Sequence, residues 1–434
     1  MRILIVTQIY RPEMGALSNR LYPLARKLVE RGHEVFVATG MPNYPKGEVF
    51  EGYRGRRRVR EVLGGVTVLR TKCFVTPRNQ SKWAQLRSYL SFIPAAFRGG
   101  WGAGKLDAVV VSSPPLFAVV PAILLAKLRG ARLVLDVRDL WPDELVTYAG
   151  YGERSLPVRA TGALARLAYR AADCVVATTD AILDAVVERG AARGKTFLMP
   201  NGADLELFRP APRADVDARA DEFGGRFVVM YSGLFGIKHS LEVLLEAAAL
   251  LREHKEIVFL LVGDGARRGA LEAQARELKL TNVVFGGERR VEDIPALIAR
   301  ADLCFAAVRP DPYPKKVISV KVFEYLACER PVVGALSGES ARVLAESGGG
   351  VVVAPGDARA VADAVLELYR DPARRAAMGE AGRRYVERHY SRAAWAGRLE
   401  QRIVELCGRA APARPAPAAE EFQQGWTEEM MNAD

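Results

Sequence analysis

One grammar runs through this chain, stops, and starts again: apolar runs short enough for strands, each followed by helical spacing. "RILIVT" (2–7) suits a buried parallel strand, and "SNRLYPLARKLVERG" (18–32) places Leu21, Leu24 and Leu28 on one helical face before ending at Gly32. "HEVFVATG" (33–40), "VTVLRT" (66–71), "DAVVVSS" (107–113), "RLVLDVR" (132–138) and "CVVATT" (174–179) continue the strand series. After residue 225 it resumes with "RFVVMYSG" (226–233), "SLEVLLEAAALLRE" (240–253), "IVFLLVGDG" (257–265), "ALEAQARELKL" (270–280), "NVVFGG" (282–287), "IPALIARAD" (294–302) and "LCFAAV" (303–308). "RPVVGA" (330–335) and "GGVVVAPGD" (349–357) complete it. Strands interleaved with helices imply βαβ units and parallel sheets. The sequence therefore reads as α/β, with two Rossmann-like domains facing each other across a cleft. Ligands of such sheets bind at the carboxyl ends of the strands, so the cleft is the default site.

The 434 residues suit two domains of roughly 200 residues each. We divide them into 1–198, a proline-rich and charged connection over 199–225, a second domain over 226–385, and a helix over 386–407 that crosses back towards the first. Residues 408–434, Ala/Pro-rich and then acidic with Phe422 and Trp426, read as a disordered tail. Five scattered cysteines without a CxxC pair point to neither a disulfide framework nor a zinc site, and fit a reducing cytosol. "MRILIVTQIYRPE" reads as a first strand rather than a signal peptide. The stretch 107–130 is apolar, but Pro114, Pro115 and Pro121 interrupt it, and strand–turn–helix accounts for it better than a membrane span.

The net charge of +11 is unevenly placed, since residues 1–110 hold 19 Lys+Arg against 7 Asp+Glu. A one-sided basic half calls for an anionic partner. No nucleic-acid motif accompanies it, so lipid is the expected one. In "KWAQLRSYLSFIPAAFRGGW" (82–101), Trp83, Leu86, Leu90, Ile93, Phe97 and Trp101 recur at helical spacing beside Lys82, Arg87 and Arg98, with Pro94 interrupting. An in-plane interfacial helix and an amphipathic core helix share this makeup, and the basic balance of this half favours the membrane.

Four segments carry chemistry. In "TQIYRPEMGALSNRL" Gly15 lies just before a helix start, with Ser18 or Asn19 available as cap, and helix-terminal amides form an anion site. A plain strand–helix turn is the alternative. "VLDVRDLWPDE" (134–144) gathers Asp136, Arg138, Asp139, Asp143 and Glu144 at a strand's carboxyl end. "YSGLFGIKHSLEVLLEAA" (231–248) repeats the glycine turn, with Lys238 and His239 ahead of a helix; Lys238 is either solvated or a diphosphate ligand. In "PYPKKVISVKVFEYLACERPVV" (312–333) a helix starting near Val320 presents Glu324, which is either a solvated surface charge or, facing the cleft, a carboxylate that accepts from two adjacent ribose hydroxyls. Lys316 and Lys321 are placed to hold the phosphates that follow.

"SVKVFEYLACERPVV" resembles the nucleotide-binding segment of family 4 retaining glycosyltransferases, roughly K-x-x-E-Y-x-A-x-x-x-P-V-V. "RPEMGALSNRLYPLARKLVERGHEVFVATG", "PNYPKG" (42–47) with "GYR" (52–54), "DVRDLWPDE", "PNGAD" (200–204), "GIKHSLEVLLEAA", "LVGDG" (261–265) and "ADLCFAAV" (301–308) follow in the family's order. Several of these are similar to the amino-sugar transferases of bacterial O-antigen and colanic acid synthesis. The likeness covers about residues 1–405. It implies a GT-B fold, a nucleotide sugar held mainly by the second domain, an acceptor at the first, and neither metal nor other cofactor. Carried over by position, Glu324 binds the ribose, and Lys238, His239 and Gly233 lie by the diphosphate. Gly15 approaches from the other side, while Arg138 and Asp139 sit near the reacting sugar. The chain departs from the family at Lys316, where a first glutamate is usual, at Leu234, where an arginine is common, and at Gly15-Ala16, where glycines pair.

The resemblance implies same-face transfer, the leaving phosphate taking the acceptor's proton, with cations lowering the barrier. No glycosidase-like carboxylate pair calls for a covalent intermediate. By analogy the donor is a UDP-linked N-acetylated or deoxy sugar and the acceptor an undecaprenyl-diphosphate-linked saccharide. The enzyme would sit peripherally on the inner face of the cytoplasmic membrane. The rivals are a sugar-nucleotide epimerase on the same fold and a non-catalytic partner that binds nucleotide sugar or membrane. Nicotinamide chemistry lacks its glycine fingerprint.

Overall fold

The apolar runs become strands buried on both faces, the pattern expected where helices cover both sides of a parallel sheet. A computed structural model describes residues 1–408 except 14, 45, 78–80, 148, 212–222, 311–315 and 317. Residues 409–434, most of the expected tail, lie outside the described residues, as does much of the 199–225 connection.

The first sheet has eight strands: β1 (Arg2–Val6), β2 (Glu34–Thr39), β3 (Arg58–Leu63), β4 (Val66–Thr71), β5 (Ala108–Ser113), β6 (Arg132–Val137), β7 (Cys174–Ala177) and β8 (Thr196–Leu198). Their spatial order is β3-β4-β2-β1-β5-β6-β7-β8, parallel throughout except for the β3/β4 pair. The second sheet is all parallel: β9 (Phe227–Ser232), β10 (Ile257–Val262), β11 (Val283–Gly287), β12 (Leu303–Ala307), β13 (Val332–Ala335) and β14 (Gly350–Val353), in the order β11-β10-β9-β12-β13-β14. Each sheet carries an apolar core on both of its faces. Both are doubly wound. The strand order reverses between β1 and β5 in one and between β9 and β12 in the other, and crevices for ligands open at such switch points. The loops after β1 and β9 and the segment after β12 all stand at these points.

The segment expected to cross back over 386–407 begins in one helix, Pro372–His389, and continues in a second, Arg392–Leu406. The second leaves the second domain and packs Ala396, Leu399 and Ile403 among Ile3, Leu21, Val110 and Val134 of the first. Outgoing and returning chains meet: Ala203 and Ser391 form a parallel bridge. The Ala203 N–H donates to Tyr390 O at 2.9 Å and the Arg392 N–H to Ala203 O at 2.9 Å. Gly202 is left-handed (φ 58°), and a Cβ there would lie 2.2 Å from the Tyr390 carbonyl oxygen, so this junction demands glycine.

The helix Lys82–Trp101 is continuous through Pro94. It buries Ser88, Phe92, Ala95, Ala96 and Gly100, while Trp83, Leu90 and Trp101 of the apolar stripe are exposed. The stripe is therefore divided: Phe97 packs against the core, while Trp83, Leu90 and Trp101 face away from it. No helix among the described residues is long and apolar enough to cross a membrane.

Candidate functional site

At the β9/β12 switch point the second domain builds its half from three glycines, a lysine and a carboxylate. Gly233 (φ 140°) ends β9, and a Cβ on Gly263 (φ 140°) would lie 1.9 Å from the Gly233 carbonyl oxygen. Phe235 donates its N–H to Asp264 O at 2.8 Å and accepts from Arg267 N–H at 3.0 Å, so the loop 233–240 lies along the turn at 263–267. A Cβ on Gly265 would reach the Phe235 backbone within 2.6 Å. The loop's path thus depends on backbone approach that only glycine permits.

Helix Val320–Ala327 follows β12, and its Tyr325 hydroxyl accepts from the Ser232 N–H at 2.8 Å, tying it to β9. Lys321 and Glu324, three residues apart, share a helical face. Lys321 is buried, 5.0 Å from the Tyr231 ring centre and against Gly233, where a Cβ would lie 3.5 Å from its Nζ. Burial pushes its pKa down to about 8, while Glu324 pulls the other way. Glu324 keeps some access to solvent, yet crowding around it raises its pKa, against the opposing charges of Arg392 and Lys321. His239, half-buried, is held well below the usual imidazole range by burial and by Lys321 and Lys238. It is neutral at pH 7. Lys238 is exposed and pairs with Glu144 of the first domain at 3.3 Å. Lys316 touches the first domain too, its carbonyl accepting from Thr179 Oγ1 at 2.6 Å. Lys315 lies outside the described residues.

The first domain answers with a loop held by a buried carboxylate. Glu13 accepts from the N–H groups of Tyr10 (3.1 Å), Asn43 (2.9 Å) and Tyr44 (3.0 Å), binding the loop after β1 to the one after β2. Gly15 is the N-cap of helix Ala16–Glu30, and a Cβ there would press the Tyr44 ring at 3.1 Å. Neither Ser18 nor Asn19 caps this helix; both lie inside its first turn, Ser18 Oγ and Asn19 Oδ1 buried without hydrogen-bond partners.

The acidic run after β6 separates by partner. Asp136 is buried and holds Arg20 through two contacts of 3.0 and 3.3 Å, with Ser112 Oγ donating at 2.9 Å. Arg20 also donates to Met199 O, Pro200 O and Asn201 Oδ1. Asp143 pairs with Arg189 at 2.8 Å. Both acids are structural. Trp141, buried against Tyr89 and Phe117, anchors the segment. Arg138 and Asp139 stand half-buried between them, and Arg138 Nε has no hydrogen-bond partner. Burial, then Arg20 and Arg392, lower the Arg138 pKa, against Asp136 and Asp139.

Sequence reasoning missed Arg392, the first residue of the crossing helix. It is buried and donates to Asn19 O (3.3 Å), Asn201 O (3.3 Å) and Gly202 O (3.1 Å), and its charge acts on Glu324. Its partners are backbone carbonyls, which no motif records. Glu13 was also missed, although it stands two residues before Gly15. Among the described residues no three His, Cys, Asp or Glu side chains gather as ligands for a metal ion. The whole arrangement joins an acid that can accept from hydroxyls to several cations around a cleft, which suits a neutral polyol bearing phosphates.

Residues 15–202 match the glycosyl transferase 4-like domain model, and residues 226–371 match the model for glycosyl transferases group 1. WcaI of Escherichia coli K12, named as a colanic acid biosynthesis glycosyl transferase, is 30% identical over 336 residues, covering 75% of this chain and 81% of its own. Sucrose-phosphate synthase from Thermosynechococcus elongatus superposes with a TM-score of 0.73 at 20% identity, covering 94% of this chain and 99% of its own. Anabaena HepE, solved with UDP, gives 0.68 at 19% identity, covering 93% and 100%. These two show the fold.

Proposed function

This chain belongs to the family 4 glycosyltransferases of the GT-B fold that act in surface-polysaccharide synthesis, and from that premise we propose that it moves a sugar from a UDP-sugar to a lipid-linked saccharide with retention and without metal. One observation carries the reading: Glu324 and Lys321 share a helix face against the Gly233 turn at the switch point. In that geometry Glu324 takes two ribose hydroxyls, and Lys321, Lys238 and the loop before helix Glu242–Leu250 take the diphosphate. Neutral His239 can donate to a phosphate or sugar oxygen without adding charge.

The bond from the sugar's anomeric carbon to the β-phosphate oxygen breaks as the acceptor hydroxyl bonds to the same face. The hydroxyl proton passes to the departing phosphate oxygen. Lys238 and Lys321 stabilise the charge that grows there, and Arg138 and Asp139 orient the sugar. The acceptor would be undecaprenyl-diphosphate-linked and the donor sugar N-acetylated or deoxy. Exposed Trp83, Leu90 and Trp101, with Lys82, Arg87 and Arg98 on the same helix, support peripheral attachment to the inner face of the cytoplasmic membrane.

The test is UDP binding by calorimetry with EDTA present, for the wild type and Glu324→Ala. Binding without metal is expected, with a loss of about 2–3 kcal/mol in the variant, as two hydrogen bonds to a charged acceptor disappear. Equal affinity in both proteins would remove Glu324 from the site.

A further inference from the structure

At the end of the first domain remote from the cleft, the beginnings of β5 and β6 and the end of helix Val119–Arg129 enclose a cavity of about 510 Å³. Lys105, Lys127, Arg129 and Arg132 line it with Asp107 and Asp173. Both carboxylates are engaged. Asp107 accepts from the Arg2 N–H at 2.8 Å, and Asp173 from Arg132 at 3.0 Å and the Leu133 N–H at 2.8 Å. Lys105 and Lys127 are exposed and have no ion pair among the described residues. Arg129 lies over the Trp101 ring at 3.8 Å, with its Nε buried and lacking a hydrogen-bond partner. Beside this rim Trp101, Leu124 and Leu128 are exposed. The surface is a cationic cavity with an apolar shoulder.

Cys407 lines the same cavity, its thiol 3.5 Å from the Asp107 carbonyl oxygen, so the crossing helix delivers the chain to its mouth. A spacer of Ala, Pro and one Arg over 410–419 leads from there to residues 420–434. That segment carries Glu420, Glu421, Glu428, Glu429 and Asp434, with Phe422 and Trp426, and no Lys or Arg. A proline-rich spacer of this length reaches up to about 30 Å, ample to lay the segment across a rim where it starts. A short tether also raises the local concentration to about the millimolar range.

We propose that the cavity rimmed by Lys105, Lys127 and Arg129 is the docking site of this chain's own segment 420–434. The carboxylates meet the unpaired lysines and Arg129, and the aromatic rings lie on the shoulder of Trp101, Leu124 and Leu128. Docked there, the segment covers the lower end of the exposed Lys82–Trp101 face. The contact stands without the sugar-transfer reading, since none of its residues belongs to the cleft.

Hydrogen–deuterium exchange on the full chain tests it, read at peptides covering 101–107 and 124–133. Glu428→Lys/Glu429→Lys should raise uptake there severalfold, as should Lys105→Glu/Lys127→Glu. Combining the two reversals should restore protection, which a merely destabilised fold would not do. Equal uptake in the wild type and Glu428→Lys/Glu429→Lys overturns the proposal. Protection that grows with protein concentration also overturns it, because the occupant is then a second copy. So does protection that appears only with phosphatidylglycerol vesicles, which would make the rim a lipid site.

Discussion

At pH 7 Lys321 carries a charge that its surroundings disfavour, its pKa pushed from 10.5 to about 8 by burial. Between those two values the unfolded chain binds more protons than the folded one, so stability should rise with pH through that window. Below pH 8 the penalty is present in full. Lys321→Met keeps the length and removes the charge, so its melting temperature at pH 7 should exceed the wild type's, by about 1–3 kcal/mol in stability. That gain should fade by pH 10.5. UDP affinity should fall about tenfold or more in the same variant, a loss of roughly 1.4 kcal/mol. A variant neither stabilised nor weakened would show that burial costs this charge nothing and that Lys321 takes no part in UDP binding. Gly263→Ala addresses the neighbouring turn, where a methyl group would meet the Gly233 carbonyl oxygen. Thermal denaturation should show a loss of about 3 kcal/mol there, since the backbone must move.

Elements with apolar runs on both faces were legible in the sequence, and so was the helix Val320–Ala327, whose start near Val320 was expected. β3 was not, because "RVREVL" alternates half-buried and exposed residues at a sheet edge and carries three charges. The break between Pro372–His389 and Arg392–Leu406 was also invisible: Tyr390 and Ser391 leave helical geometry to bridge Ala203, a partner almost two hundred residues away. In the site, Glu324 and Lys321 could be found because one helix holds both. Arg392 could not, since only the returning chain brings it near. Helix Lys82–Trp101 offers a contrast between its two sides. Leu90→Glu, on the exposed side, should leave the melting temperature within a degree or two and weaken binding to anionic vesicles in sedimentation. Phe92→Ala, on the fully buried side, should cost about 3–5 kcal/mol in denaturant unfolding.

The whole molecule is held together where the chain returns. Glu400 of the crossing helix is buried and receives His33 Nε2 at 2.9 Å and Arg31 at 2.9 Å, clamping that helix to the first domain. Burial holds the His33 pKa below 6.5, although Glu400 pulls it up. A depressed histidine leaves the folded state with fewer bound protons, so acidification through pH 6.5 should cost stability. Melting temperatures taken from pH 7 to pH 5 should therefore fall more steeply in the wild type than in His33→Gln. Equal slopes would separate the clamp from the acid response. The bridge between Ala203 and Ser391 has a broader consequence. Everything between those residues leaves and re-enters the first domain at a single point, so the second domain is an insertion with both ends side by side. Exchanging the block 204–390, with its two junctions lying side by side, would replace the second domain while leaving the first domain and its crossing helix intact. If the second domain reads the donor and the first the acceptor, as proposed above, such an exchange changes which sugar is given and not where it goes.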